Sequence, residues 1–172
     1  MDTKEVLTLV SIIVAAVVGL IGFGLTIIQI RKAKKVKEME FVASLISAIR
    51  TNEKLSAAFY QIEYDENWYN GSFHKSEDER RMDALLSQLD YLCYAREKKL
   101  IGKAVFDYFE YTLHRVVKNR CVCNYLWNLY HFSKAKGPLS HLTEYAMKGF
   151  TEEEKASFRD RKSPSYTKYL NF

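Results

Sequence analysis

The run from Val6 to Ile30, VLTLVSIIVAAVVGLIGFGLTIIQI, limits what this chain can fold into more than any other stretch. It holds 25 residues without a charge. As a helix it reaches ~37 Å, against a bilayer hydrocarbon core of ~30 Å. A helix in water keeps one face polar, and this one has none to spare. In lipid every backbone polar group must be satisfied within the segment, which a helix achieves. The run therefore predicts one transmembrane helix over 6–30, after a short extracytoplasmic N-terminus of residues 1–5.

Small and hydroxylated residues inside the run follow one another at steps of three and four. Ser11, Ala15, Gly19, Gly22 and Thr26, flanked by Thr8 and Gln29, fall on one helical face, and the larger Val, Ile, Leu and Phe23 occupy the others. Small residues let two helix backbones approach closely in lipid, so the stripe predicts self-association of the span and a homo-oligomer. The competing reading is compositional, because such residues are common in membrane spans.

The flanks predict the orientation. Arg31, Lys32, Lys34, Lys35 and Lys37 follow the run at once, while only Asp2, Lys4 and Glu5 precede it. The basic side stays in the cytoplasm, which places the N-terminus outside and residues 31–172 inside, at the inner (cytoplasmic) membrane. The same five cations are expected to contact anionic lipid headgroups at ~1 kcal/mol each. A cleaved signal peptide fits poorly. Its hydrophobic core would be shorter, its positive charge would precede the run, and an A-x-A-like site would follow.

Composition supports an intracellular domain. The three cysteines, Cys93, Cys121 and Cys123, are too few and odd in number for a secreted disulfide framework. The net charge of +5 is local: residues 31–172 hold 25 Lys and Arg against 19 Asp and Glu, and without the five of 31–37 the count is 20 against 19. A basic footprint for nucleic acid is therefore missing.

Beyond the span the pattern is helical throughout, with no run of period two. Val36, Met39, Val42, Leu45, Ile46 and Ile49 predict that the span continues as a basic juxtamembrane helix over 31–50. Thr51-Asn52 is the expected break. A cytoplasmic helical domain is expected over 51–162, and the whole chain is expected to be all-α, with a bundle of about five helices after the membrane helix. Leu55, Ala58, Phe59 and Ile62 make one apolar face. An aromatic loop follows from Tyr64 to Phe73, whose Trp68, Tyr69 and Phe73 are expected to fold back on the core. Ser76-x-x-Glu79 and Thr151-x-x-Glu154 are capping-box patterns. Met82, Leu85, Leu86, Leu89, Leu92 and Cys93 form the strongest stripe. After Gly102 comes a helix carrying Phe106, Phe109, Leu113 and Val117, with a boundary at Lys118-Asn119-Arg120. The next helix is expected to run to Lys136, where Gly137-Pro138 stops it. Residues 163–172 are expected as a flexible tail.

The single N-terminal span, the basic helix that continues it, and the stretch from Leu85 to Asn128 together resemble a bacterial family of uncharacterised single-pass membrane proteins. In that stretch an apolar–acid–aromatic helix ends at a basic turn, and a Leu100-Ile101-Gly102 hinge leads to an aromatic-rich helix. The resemblance implies an all-helical cytoplasmic domain. It brings no activity and no catalytic residues.

The residues offer little for catalysis. There is no G-x-S-x-G, no H-E-x-x-H and no phosphate-cradling glycine loop, and three of the seven glycines lie inside the span. Glu110 with His114, and Asp107 with Tyr111, are one turn apart, which is ordinary for surface pairs. Cys121 and Cys123, with His114 and His131 nearby, are the first residues to weigh for zinc. On a helix, however, positions i and i+2 point ~200° apart, so they chelate one ion only if the helix start unwinds. Arg96, Lys98, Lys99, Lys103, Arg115, Lys118 and Arg120 suggest either an anion pocket between two helices or solvated helix ends. The expectation is a membrane-anchored protein with no catalytic, cofactor or metal site, whose cytoplasmic domain binds an unknown protein or ligand. The alternative is a membrane effector of a bacterial defence or self-killing system, whose spans oligomerise when the domain senses a ligand.

Overall fold

The computed structural model describes residues 2–64, 67–133 and 137–172, apart from the side chains of Glu5 and Leu9. Every regular element among them is helical, and the fold is all-α: a long apolar N-terminal helix followed by a helical domain. The chain divides into two compact units, Met1–Phe41 and Val42–Phe172.

The first unit is the larger part of helix α1, which runs Thr3–Thr51. Among the described residues this is the one helix long and apolar enough to cross a membrane, and none of its most apolar 18-residue window is buried. Leu20 and Phe23 are 72% and 67% exposed. A core helix of a water-soluble domain would hide such residues.

The second unit begins where burial begins. Val42 and Leu45 join the core, whereas Val36 and Met39, placed on the same stripe by sequence, stay exposed. The helical domain thus starts inside α1, nine residues before the break expected at 51. That break is real: α1 ends at Thr51, and Asn52 Oδ1 accepts from the Lys54 and Leu55 backbone N–H groups to open α2, Glu53–Tyr64.

Helix α3, Glu77–Glu97, is the hub. Its Met82, Leu85, Leu86, Leu89 and Leu92 are all fully buried, and α2 and α6 pack along it. Ser76 Oγ caps its start by accepting from Glu79 N at 3.1 Å. Its end is a Schellman turn: Leu100 N donates to Ala95 O at 2.8 Å and Lys99 N to Arg96 O at 3.1 Å, with Lys99 at φ 57°.

Helices α4, Lys103–Lys118, and α5, Arg120–Phe132, meet at Asn119. This one residue ends α4, caps α5 by accepting from Val122 N at 3.0 Å, and donates Nδ2 to Ile62 O of α2 at 2.8 Å. Helix α5 ends at Phe132, short of the expected Lys136, and residues 134–136 lie outside the described residues. Helix α6, Ser140–Lys148, starts from Leu139, which has no capping side chain. Asp90 of α3 supplies the cap instead, its Oδ1 accepting from Leu142 N at 2.8 Å. Helix α7, Glu152–Arg159, opens on the full Thr151/Glu154 capping box.

Two segments outside the helices complete the core. Trp68, Tyr69 and Phe73 are 3–4% exposed and close around Tyr125 of α5, as the sequence predicts for this loop, whose residues 65 and 66 lie outside the described ones. Residues 163–172, expected as a flexible tail, are docked. Asn128, fully buried on α5, accepts from Tyr169 N and Leu170 N and donates to Thr167 O, while Tyr166 stacks on Trp127 at 5.3 Å. The apolar rings supply burial and Asn128 satisfies the backbone, so the segment holds without a helix of its own.

Candidate functional site

The most distinctive surface of the helical domain is a tyrosine-lined groove. Tyr60 and Tyr64 sit one turn apart on α2 and stack at 5.9 Å between ring centroids. Tyr108 and Tyr111 sit three residues apart on α4. These four side chains line one groove of ≈ 520 Å³ together with Ile46 and Ile49 from the end of α1. All four rings are strongly exposed, at 59%, 76%, 64% and 72%. Beneath them Phe59 is half-buried and Phe109 buried, so the rings stand on a packed base. Arg115 fixes the two helices beside the groove. Its Nη1 meets Glu63 Oε1 of α2 at 2.8 Å, and its guanidinium lies 5.7 Å from the Tyr111 ring centre. Tyrosine carries apolar area and a polar tip on a stiff side chain, which favours it at binding surfaces.

A second, polar cleft of ≈ 630 Å³ lies between the start of α5, α7 and the docked tail. Its charges have both signs, Arg120 sharing it with Glu153 and Glu154. Tyr69 and Tyr169 border it, and behind Tyr69 runs a hydrogen-bonded chain: Tyr69 Oη to His74 Nε2 at 3.0 Å, then His74 Nδ1 to Glu79 Oε1 at 2.7 Å. Carboxylate, imidazole and hydroxyl in series are the parts of a nucleophile relay. Burial, however, pushes the Tyr69 phenol well above its ordinary range, so the hydroxyl keeps its proton. Tyr125 donates to the half-buried Asp83 beside this chain. Burial raises the Asp83 carboxyl more than that hydrogen bond lowers it.

The basic residues that suggested an anion pocket do not converge. Lys103 and Lys118 are the first and last residues of α4, ~22 Å apart along its axis. Arg115 is paired with Glu63 and Lys98 with Glu97, and Arg120 faces the mixed-charge cleft. Helix geometry spreads the seven cations over separate helix ends.

The cysteine pair is likewise not assembled for zinc. Both residues lie on intact α5, where Cys121 is buried and Cys123 Sγ donates to Val117 O at 2.9 Å. Burial raises the Cys123 thiol to about 11 and the Cys93 thiol to about 12, which favours the protonated form over a thiolate ligand. A different group has metal-compatible spacing: Glu97, His141 and Glu144, whose donor atoms lie within 4.8 Å of one another. His141 Nδ1 is 2.8 Å from Glu97 Oε2, and Lys98 Nζ is 2.9 Å from Glu97 Oε1. These contacts make the group an ion-paired bridge from the end of α3 to α6. His141 and Glu144 are visible locally at i and i+3, but Glu97 is 44 residues away.

On α1, Ser11, Ala15, Gly19, Gly22 and Thr26 do share a helical face. A Cβ added at Gly19 or Gly22 meets nothing within 4 Å. The hydroxyls are satisfied within their own helix, Ser11 Oγ donating to Thr8 O and Thr26 Oγ1 to Gly22 O, both at 2.8 Å. Arg31, Lys32, Lys34, Lys35 and Lys37 are all exposed, and Lys34 lies 3.9 Å from Glu38.

Fold and site together define a class: a small all-α domain with an aromatic surface groove, joined to one long apolar helix. No family model, curated protein or solved structure matches the chain.

Proposed function

We propose that this chain is a single-pass protein of the bacterial inner membrane, N-terminus outside, whose cytoplasmic helical domain is a non-catalytic interaction or sensing module. The tyrosine groove carries this reading. Four rings exposed side by side are a surface that a monomeric domain gains nothing from keeping wet. The membrane part is supported by an apolar helix left unburied by its own chain, and the orientation by the five cations that follow it. The kinship with bacterial single-pass proteins rests on the stretch from Leu85 to Asn128 and belongs to the same proposal.

The glycine face favours a second reading, a membrane effector whose spans assemble when the domain engages a ligand. Gly19 and Gly22 present open backbone that a single chain leaves unfilled. Both readings share one test. A phosphatase that is active only after export, fused after Phe172, is expected to be silent, and a photo-crosslinking Tyr64→p-benzoylphenylalanine variant is expected to form a protein adduct in membranes. An active phosphatase overturns the orientation, and absence of any adduct overturns the interaction module. The two readings then separate on whether induced expression depolarises the host membrane.

A further inference from the structure

We infer that the occupant of the tyrosine groove is a second copy of this chain, docked through an isologous contact of the α2 and α4 faces. This rests on the interaction-module reading and names the partner of that same site.

Three observations converge on a copy of the chain. The first is area. Four rings exposed by 59–76% present on the order of 500 Å². With Ile46 and Ile49 at their edge, that meets the lower end of what each side of a specific interface buries, ~600–800 Å². The second is self-complementarity. The groove separates two pairs of rings, Tyr60 with Tyr64 and Tyr108 with Tyr111, so under a two-fold axis a pair from one copy enters the groove of the other. Arg50, which lines the groove, has no ion-pair partner of its own among the described residues, and the same groove carries the Glu63 carboxylate. Copy against copy therefore sets opposite charges facing. The third is concentration. Chains anchored by α1 in one membrane meet at an effective concentration near millimolar, at which a modest interface suffices.

The test uses the full chain in liposomes, labelled with donor and acceptor dyes at the N-terminus, and reads energy transfer as the protein is diluted in lipid. The parent is expected to associate, and Tyr108→Ser with Tyr111→Ser to weaken association by at least about tenfold. Tyr91→Ser, an exposed tyrosine outside the groove, is expected to change nothing. A monomeric parent, or a double variant that associates like the parent, overturns the inference. So does association abolished by Gly19→Ile and insensitive to both tyrosines. Should the double variant lose helicity, the adduct of Tyr64→p-benzoylphenylalanine decides. An adduct of two copies supports self-docking. An adduct with a different protein overturns it and leaves the interaction module standing, whereas no adduct overturns both.

Discussion

At the scale of single residues, Asn128 shows how a polar side chain can organise structure in a core. It is fully buried, and both ends of its amide are occupied: Oδ1 by two tail N–H groups, Nδ2 by the Asn124 and Thr167 carbonyls. Asn128→Ala strands those groups, with an expected loss of about 2–4 kcal/mol in chemical denaturation. It should also release residues 163–172, seen as faster amide exchange there than in α3. Glu97 makes the pH case. Its bonds to Lys98 first, then to His141, pull its carboxyl from 4.5 to about 2 in the folded state. A depressed acid stabilises the fold above its unfolded value and loses that contribution as pH falls toward about 2. Glu97→Gln should therefore flatten the acid limb of a melting-temperature profile between pH 4.5 and about 2. The group is solvent-exposed, so little change is expected at pH 7.

At the scale of elements, the helices are joined by residues that serve two at once. Asn119 ends α4, caps α5 and holds α2, while Asp90 of α3 caps α6. These links keep the faces of α2 and α4 in register and so shape the groove. One joint stores strain: Lys99 sits at φ 57° in the turn after α3, a conformation that costs a residue with a Cβ about 1 kcal/mol and glycine almost nothing. Lys99→Gly is expected to stabilise the domain by about 0.5–1 kcal/mol, read as a higher denaturation midpoint with an unchanged slope. A loss of stability would mean that the Lys99 side chain contributes more than its backbone costs.

For the whole molecule, the open question is how the anchored chain assembles. The glycine face of α1 can be probed cleanly, because a Cβ at Gly19 meets no atom of its own chain. Gly19→Ile is expected to lower association of the spans in a membrane two-hybrid assay, whereas Val17→Ile, about 160° around the helix, leaves it unchanged. Equal association of both variants with the parent would assign assembly to the helical domain alone.

Much of the architecture is local and was readable without coordinates. The uncharged run, the caps at Ser76 and Thr151, the break at Thr51-Asn52 and the stripe from Met82 to Cys93 each depend on residues within a few positions, where helical period and capping chemistry act directly. The burial of Trp68, Tyr69 and Phe73 followed from the size of their rings. Only the tertiary structure decided what depends on distant pairs. The tail looked loose because it has no helical pattern, yet Asn128, some forty residues earlier, holds its backbone. The basic residues look clustered in sequence and are dispersed by the length of α4. The tyrosines of α2 and α4 are ordinary same-face pairs until packing sets the two helices side by side. Periodicity reports which face of a helix is apolar. Which faces meet, and which one is left uncovered, is settled by packing between residues far apart in the chain.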